Sequence, residues 1–85
     1  MRLDKYLKVS RLIKRRTVAN EACDAGRIFV NGKPARASYD VKIGDLIEIK
    51  LGQTPLSAKV LGVSEVVRKE NAQELYEIIS GKEID

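Results

Sequence analysis

Arg2, Lys5, Lys8, Arg11, Lys14, Arg15 and Arg16 all fall within the first sixteen residues, with Asp4 the one acid among them. Such a set is suited to recognising anionic oxygen. An arginine presents a planar fork that takes two phosphate oxygens and keeps its charge at any physiological pH. The segment carries +6 while the whole 85-residue chain carries +4, so everything after Arg16 sums to −2. Charge concentrated at one end of so small a protein points to a polyanion as partner. Leu3, Tyr6, Leu7, Val9, Leu12 and Ile13 interrupt the cations, so the segment reads as folded surface rather than a basic tail. A charge run is ordinarily a solvated face, and composition by itself does not choose between that and a binding surface.

Other chemistries find little support. There is no histidine and one cysteine, Cys23. Zinc needs about four N or S ligands, so no metal site is expected. The commonest general base near neutral pH is missing, and Cys23 has no partner base for a nucleophilic dyad. Its neighbours Ala19, Ala22 and Ala25 suggest a packed helix face, where a free thiol is inert. The glycines match neither GxxxxGK[ST] nor GxGxxG, so no phosphate loop or cofactor site is read. No stretch approaches the ~18 apolar residues of a membrane span, and the basic N-terminus lacks the apolar block of a secretory signal. A lone thiol fits a reducing compartment. The expectation is a cytoplasmic, non-enzymatic single domain.

The elements that would carry the cations follow from periodicity. Leu3, Tyr6 and Leu7 have i, i+3, i+4 spacing, predicting a short helix that shows Arg2, Lys5 and Lys8 on its other side. Asp4 and Lys8 are placed to pair across one turn, and Asp4 reads as an orienting partner for a nearby arginine or backbone donor rather than as a catalytic acid. Ser10 to Lys14 reads as a turn. A second helix is expected from an N-cap at Thr17 to Ala25, with Val18, Ala19, Ala22 and Cys23 inward and Gly26 at C′. The period then shortens to two. Ile28 and Val30 lead into Asn31-Gly32, a strong hairpin signal. Pro34 confines residues 33–36 to an edge strand or loop. A turn at Ile43-Gly44-Asp45 precedes a strand over 46–51, and Gly52-Gln53-Thr54 leads to another through Leu56, Ala58 and Val60. Val63, Val66 and Val67 continue the apolar run. Ala72, Leu75, Ile78 and Ile79 have helical spacing, predicting a C-terminal helix over 71–79 whose acidic side carries Glu70, Glu74 and Glu77. The reading is α+β: residues 1–67 as two helices on a small, mostly antiparallel sheet, and 68–85 as a helical extension.

Four blocks in this order carry a resemblance. Arg2-Leu3-Asp4-Lys5-Tyr6-Leu7, Arg16-Thr17-Val18-Ala19, Gly26 to Gly32 and Val41 to Ile47 are similar to the RNA-binding domain first described in small-subunit ribosomal protein S-four. Arg15 stands where that family usually has Ser or Thr, and Phe29 occupies its variable strand position. The resemblance implies an RNA-facing surface made by the two helices and the loop between them. It implies RNA contact for Arg2 and Arg16, which match the two family arginines; the charge pattern adds Lys5, Arg11, Lys14 and Arg15 to the candidate surface. Arg27, Lys33 and Arg36 flank the hairpin and read equally as an extension of the patch or as ordinary exposed strand charges, and Phe29 and Tyr39 could stack on a base.

Residues 2–32 most resemble short stand-alone members related to the fifteen-kilodalton heat-shock RNA-binding protein. That group attends large ribosomal subunits carrying a stranded peptidyl-tRNA. The partners so implied are 23S rRNA near helix 69, the peptidyl-site tRNA and RqcH, which extends the stalled chain with alanine. A general ribosome-binding or assembly factor would share the surface, as would a module for an acidic protein. Pseudouridine synthases and tyrosyl-tRNA synthetases also carry this domain, but their catalytic domains find no room in 85 residues.

Overall fold

A computed structural model describes residues 1–51, 55–64 and 74–80. Its elements are α1 (Leu3–Val9), α2 (Arg16–Asp24), β1 (Ile28–Val30), β2 (Lys33–Pro34), β3 (Leu46–Ile49), β4 (Leu56–Val60) and β5 (Tyr76–Ser80). The strands form one antiparallel sheet in the order β2-β1-β3-β4-β5. The expected α+β architecture, two N-terminal helices on an antiparallel sheet, is present.

The helices cover one face of the sheet. Leu3, Tyr6 and Leu7 from α1 and Ala19, Ala22 and Cys23 from α2 are buried with Ile28, Val30, Ile47, Ile49, Leu56, Ala58 and Val60. Each fully buried Leu or Ile contributes about 1.5–3 kcal/mol relative to an exposed one. On the other face Phe29, Leu46, Glu48, Ser57 and Lys59 are partly or fully exposed, the alternation of an antiparallel sheet wet on one side. Asn31 (φ 53°) and Gly32 (φ 84°) close the β1–β2 hairpin with the two positive φ angles of a type I′ turn.

The C-terminal expectation is corrected. Tyr76 to Ser80 is strand β5, paired with β4, and not helix. Tyr76 and Ile78 pack inward while Glu77 and Ile79 are exposed, a period of two. Leu75, Ile78 and Ile79 satisfy helical spacing equally well, and pairing with the open edge of β4 decides between them. Ser57 faces Ser80 and Ala58 faces Ile78, so Ile79 is the extra residue of a bulge. Glu74 and Leu75 form a short 3₁₀ turn before the strand. The Gly52-Gln53-Thr54 hairpin, Val66, Val67, Glu70 and the start of the expected helix lie outside the described residues.

Two smaller corrections concern α2. It starts at Arg16, and Arg15 is the N-cap, with extended backbone and no side-chain cap; Thr17 lies inside the helix. Val18 is 41% exposed, because the inward stripe runs through Ala19, Ala22 and Cys23 and a residue one earlier falls off it.

Candidate nucleic-acid interface

Asp4 is the centre of the basic face. Its side chain is 2% exposed, and it accepts a 2.8 Å hydrogen bond from the Lys5 backbone N–H. Arg2 reaches it through Nε at 3.2 Å and Nη2 at 3.4 Å, Arg16 through Nε at 3.4 Å, and Asn20 through Nδ2 at 3.2 Å. One carboxylate therefore joins the first helix to the second. Burial by itself would raise the Asp4 pKa. The bonds from Asn20, Arg2, the Lys5 backbone and Arg16 outweigh it and hold the carboxyl below its ordinary value. Arg2 and Arg16 still expose 52% and 49% of their side chains. The arrangement presents two guanidiniums to solvent from a fixed base, which suits a phosphate group.

Asp4 thus takes the orienting role, and the pairing with Lys8 is not formed; Lys8 is exposed. The reason is direction: Asp4 points into the helix–helix seam, while Lys8 lies on the wet side of α1. Asn20 was missed by the sequence reading. Its signal was available, since Arg16 and Asn20 are four apart and so share one face of α2.

The turn between the helices is held from inside. Ser10 is fully buried, with Oγ donating to the Leu7 carbonyl at 3.3 Å, and the Ile13 N–H returns to the same carbonyl at 3.0 Å. Leu12 and Ile13 are buried, which leaves Arg11, Lys14 and Arg15 exposed on the turn. Arg11 sits at φ 63°, in the left-handed region. Of the six candidate residues, the structure brings Arg2 and Arg16 together on Asp4 and puts Arg11, Lys14 and Arg15 on the connecting turn. Lys5 is half-buried on α1.

The loop before β3 supports this face. The first N–H groups of α1 donate outside the helix, Leu3 to the Tyr39 carbonyl at 2.8 Å and Asp4 to the Ala37 carbonyl at 3.2 Å. A second buried carboxylate, Asp45, holds that loop to the hairpin. It accepts from Tyr39 Oη at 2.8 Å, the Lys42 N–H at 3.0 Å and Asn31 Nδ2 at 3.1 Å. Burial would raise the Asp45 pKa, but these bonds and the nearby Lys42 charge lower it. Phe29 lies under Lys50 Nζ, 4.1 Å from the ring centroid.

Cys23 is buried, and burial together with Asp4 and Asp24 pushes its thiol up to about 11, the reverse of an activated nucleophile. Among the described residues no His, Cys, Asp and Glu group could hold a metal, and no helix is long and apolar enough to cross a membrane.

Comparison with known proteins places this geometry. Residues 1–47 match the model of the S4 domain. The chain is 54% identical over 85 residues to the RQC P-site tRNA stabilizing factor of Streptococcus pneumoniae, covering 100% of this chain and 97% of that protein. Identity to the Bacillus subtilis protein of the same name is 48% over 84 residues, covering 99% and 98%. The trimeric structure of Vibrio cholerae heat shock protein 15 superposes with a TM-score of 0.86 at 31% identity, covering 94% of this chain and 82% of that one.

Proposed function

The chain belongs to the S4-domain family, and from that premise we propose that it is an RNA-binding factor of ribosome-associated quality control. It binds 23S rRNA and the peptidyl-site tRNA on stalled large subunits and supports alanine tailing by RqcH. The observation that carries RNA binding is the pair of half-exposed guanidiniums, Arg2 and Arg16, fixed on the buried carboxylate of Asp4. The choice of particle follows the relatives named RQC P-site tRNA stabilizing factor, similar to this chain over its whole length, and the resemblance of residues 2–32 to RqcP.

Action on this reading is positional. Duplex RNA hides its base edges in a deep groove and is recognised through shape, phosphate and 2′-hydroxyl. A rigid helix pair bearing Arg2, Lys5, Arg11, Lys14, Arg15 and Arg16 meets rRNA and tRNA phosphates and holds the tRNA in place. No bond is made or cut. The likeness to heat shock protein 15 favours one second reading, a general ribosome-binding or assembly factor with no tailing role.

Purification of the tagged protein from cells, with sequencing of bound RNA and mass spectrometry of bound protein, separates the two. Large-subunit rRNA without small-subunit rRNA, together with tRNA and an RqcH homologue, is the expected result. Intact ribosomes or assembling particles without tRNA would favour the second reading. An Arg16→Gln variant should lose the RNA in either case.

A further inference from the structure

A groove runs along the sheet edge at β2, outside the six-residue candidate surface. Its lining is mostly apolar, made by Val30, Pro34, Ala35 and the half-buried Tyr39. Exposed Lys33 and Arg36 stand on the same groove. The walls are fixed before any ligand arrives. Tyr39 Oη and Asn31 Nδ2 both donate to Asp45, and the Asn31 side-chain oxygen accepts from the Leu46 N–H at 3.0 Å. The Tyr39 ring cannot swing away without breaking a 2.8 Å bond to a buried carboxylate.

This groove is joined to the arginine pair. A neighbouring depression is lined by Arg2, Asn20, Arg36 and Ser38, with the exposed Asp24 among them. Arg2 and Asn20 also line the hollow that holds Arg16, and Arg36 and Ser38 also line the groove. Three hollows that share lining residues thus hold Arg16 and Arg2, then Arg2 and Arg36, then Arg36, Lys33 and Tyr39, with Glu21 and Asp24 the exposed acids beside the first two.

We propose that the β2 groove is a second RNA subsite that takes one unpaired nucleotide, its base against Tyr39 and its phosphates on Arg36 and Lys33, on the same RNA that docks at Arg2 and Arg16. The inference rests on the RNA-binding reading and extends it from duplex backbone to an unstacked base. Stacking on an aromatic platform flanked by cations is how proteins hold single-stranded nucleic acid. An extended peptide adding to the sheet is the poorer occupant. β2 is two residues long, and Pro34 has no N–H to donate.

The test uses a short hairpin RNA, either blunt or with an unpaired 3′ extension carrying 2-aminopurine. Wild type should bind the extended RNA more tightly and quench its 2-aminopurine. Tyr39→Leu should weaken binding to the extended RNA by roughly 5- to 100-fold, abolish the quenching, and weaken the blunt hairpin far less. Lys33→Gln and Arg36→Gln change exposed side chains and so test the groove without disturbing Asp45; each should weaken the extended RNA more than the blunt hairpin. Equal affinity of wild type for both RNAs, or quenching that survives Tyr39→Leu, would overturn the subsite while leaving duplex binding intact. Failure of wild type to bind either RNA would instead remove the RNA-binding reading. Amide shifts at residues 33–39 on adding an extended peptide, with none on adding the extended RNA, would reassign the groove to protein.

Discussion

Asp4 sets up a contest between charge and geometry. Asp4→Asn raises the net charge of the basic face by one, which by long-range attraction should tighten RNA binding. The same change weakens the shared acceptor that holds Arg2 and Arg16, so each must be ordered by the RNA at its own entropic cost. We expect geometry to win, with affinity for an rRNA fragment falling roughly 5- to 20-fold at constant salt. Tighter binding would reduce Asp4 to a counter-charge. The two buried carboxylates also predict an acid limit. Asp4 and Asp45 are both held below the ordinary 3.8 in the folded chain. A depressed folded value gives stability that is complete above the unfolded value and is lost as pH falls through the folded one. The thermal midpoint should therefore stay level down to about pH 5 and drop below about pH 4, less steeply in Asp45→Asn. A midpoint unchanged through pH 3 would contradict the hydrogen-bonded assignments. Both carboxylates sit inside the motifs that carried the family resemblance. The motifs were legible as strings. That Asp4 binds Asn20, and Asp45 binds Asn31 and Tyr39, was not, because nothing in local spacing says which distant donor a buried acid will meet.

At the level of elements, a buried hydrogen bond ties the N-terminal helix to the turn just ahead of the C-terminal strand. Tyr6 Oη donates to the Leu75 carbonyl at 2.6 Å, just ahead of β5. Tyr6→Phe would leave that carbonyl without its donor and should cost about 1–2 kcal/mol in urea unfolding, with RNA affinity unchanged. A loss of RNA binding would show that β5 and its turn shape the basic face. The existence of both helices, the hairpin and strands β3 and β4 could be read from apolar periods of 3.6 and two, although Val18 is exposed rather than inward and β3 ends at Ile49 rather than at residue 51. β5 could not. Its apolar residues fit both periods, and what decides is the exposed ladder of β4, a non-local feature. The start of α2 was shifted for a similar reason: Thr17 is a good cap by type, but burial of Ala19 and the reach of Arg16 to Asp4 fix the helix two residues earlier, with Arg15 as its cap.

For the molecule as a whole, the candidate surface occupies one end of a chain whose remainder is slightly acidic. Binding through several of its cations should release as many counterions, giving a log–log slope of affinity against salt of roughly −3 to −6. A flat response would contradict a phosphate-reading surface. Against this stands the left-handed turn at Arg11. Holding a side chain other than glycine at φ 63° costs about 1 kcal/mol or more, and glycine there would relieve it. Arg11→Gly should accordingly melt at a higher temperature while binding RNA less well. A chain shaped for durability alone would carry glycine at that turn. On the RNA-binding reading proposed above, its arginine trades ruggedness for reach toward the ligand, and screening for heat-resistant variants would select against binding at that position first.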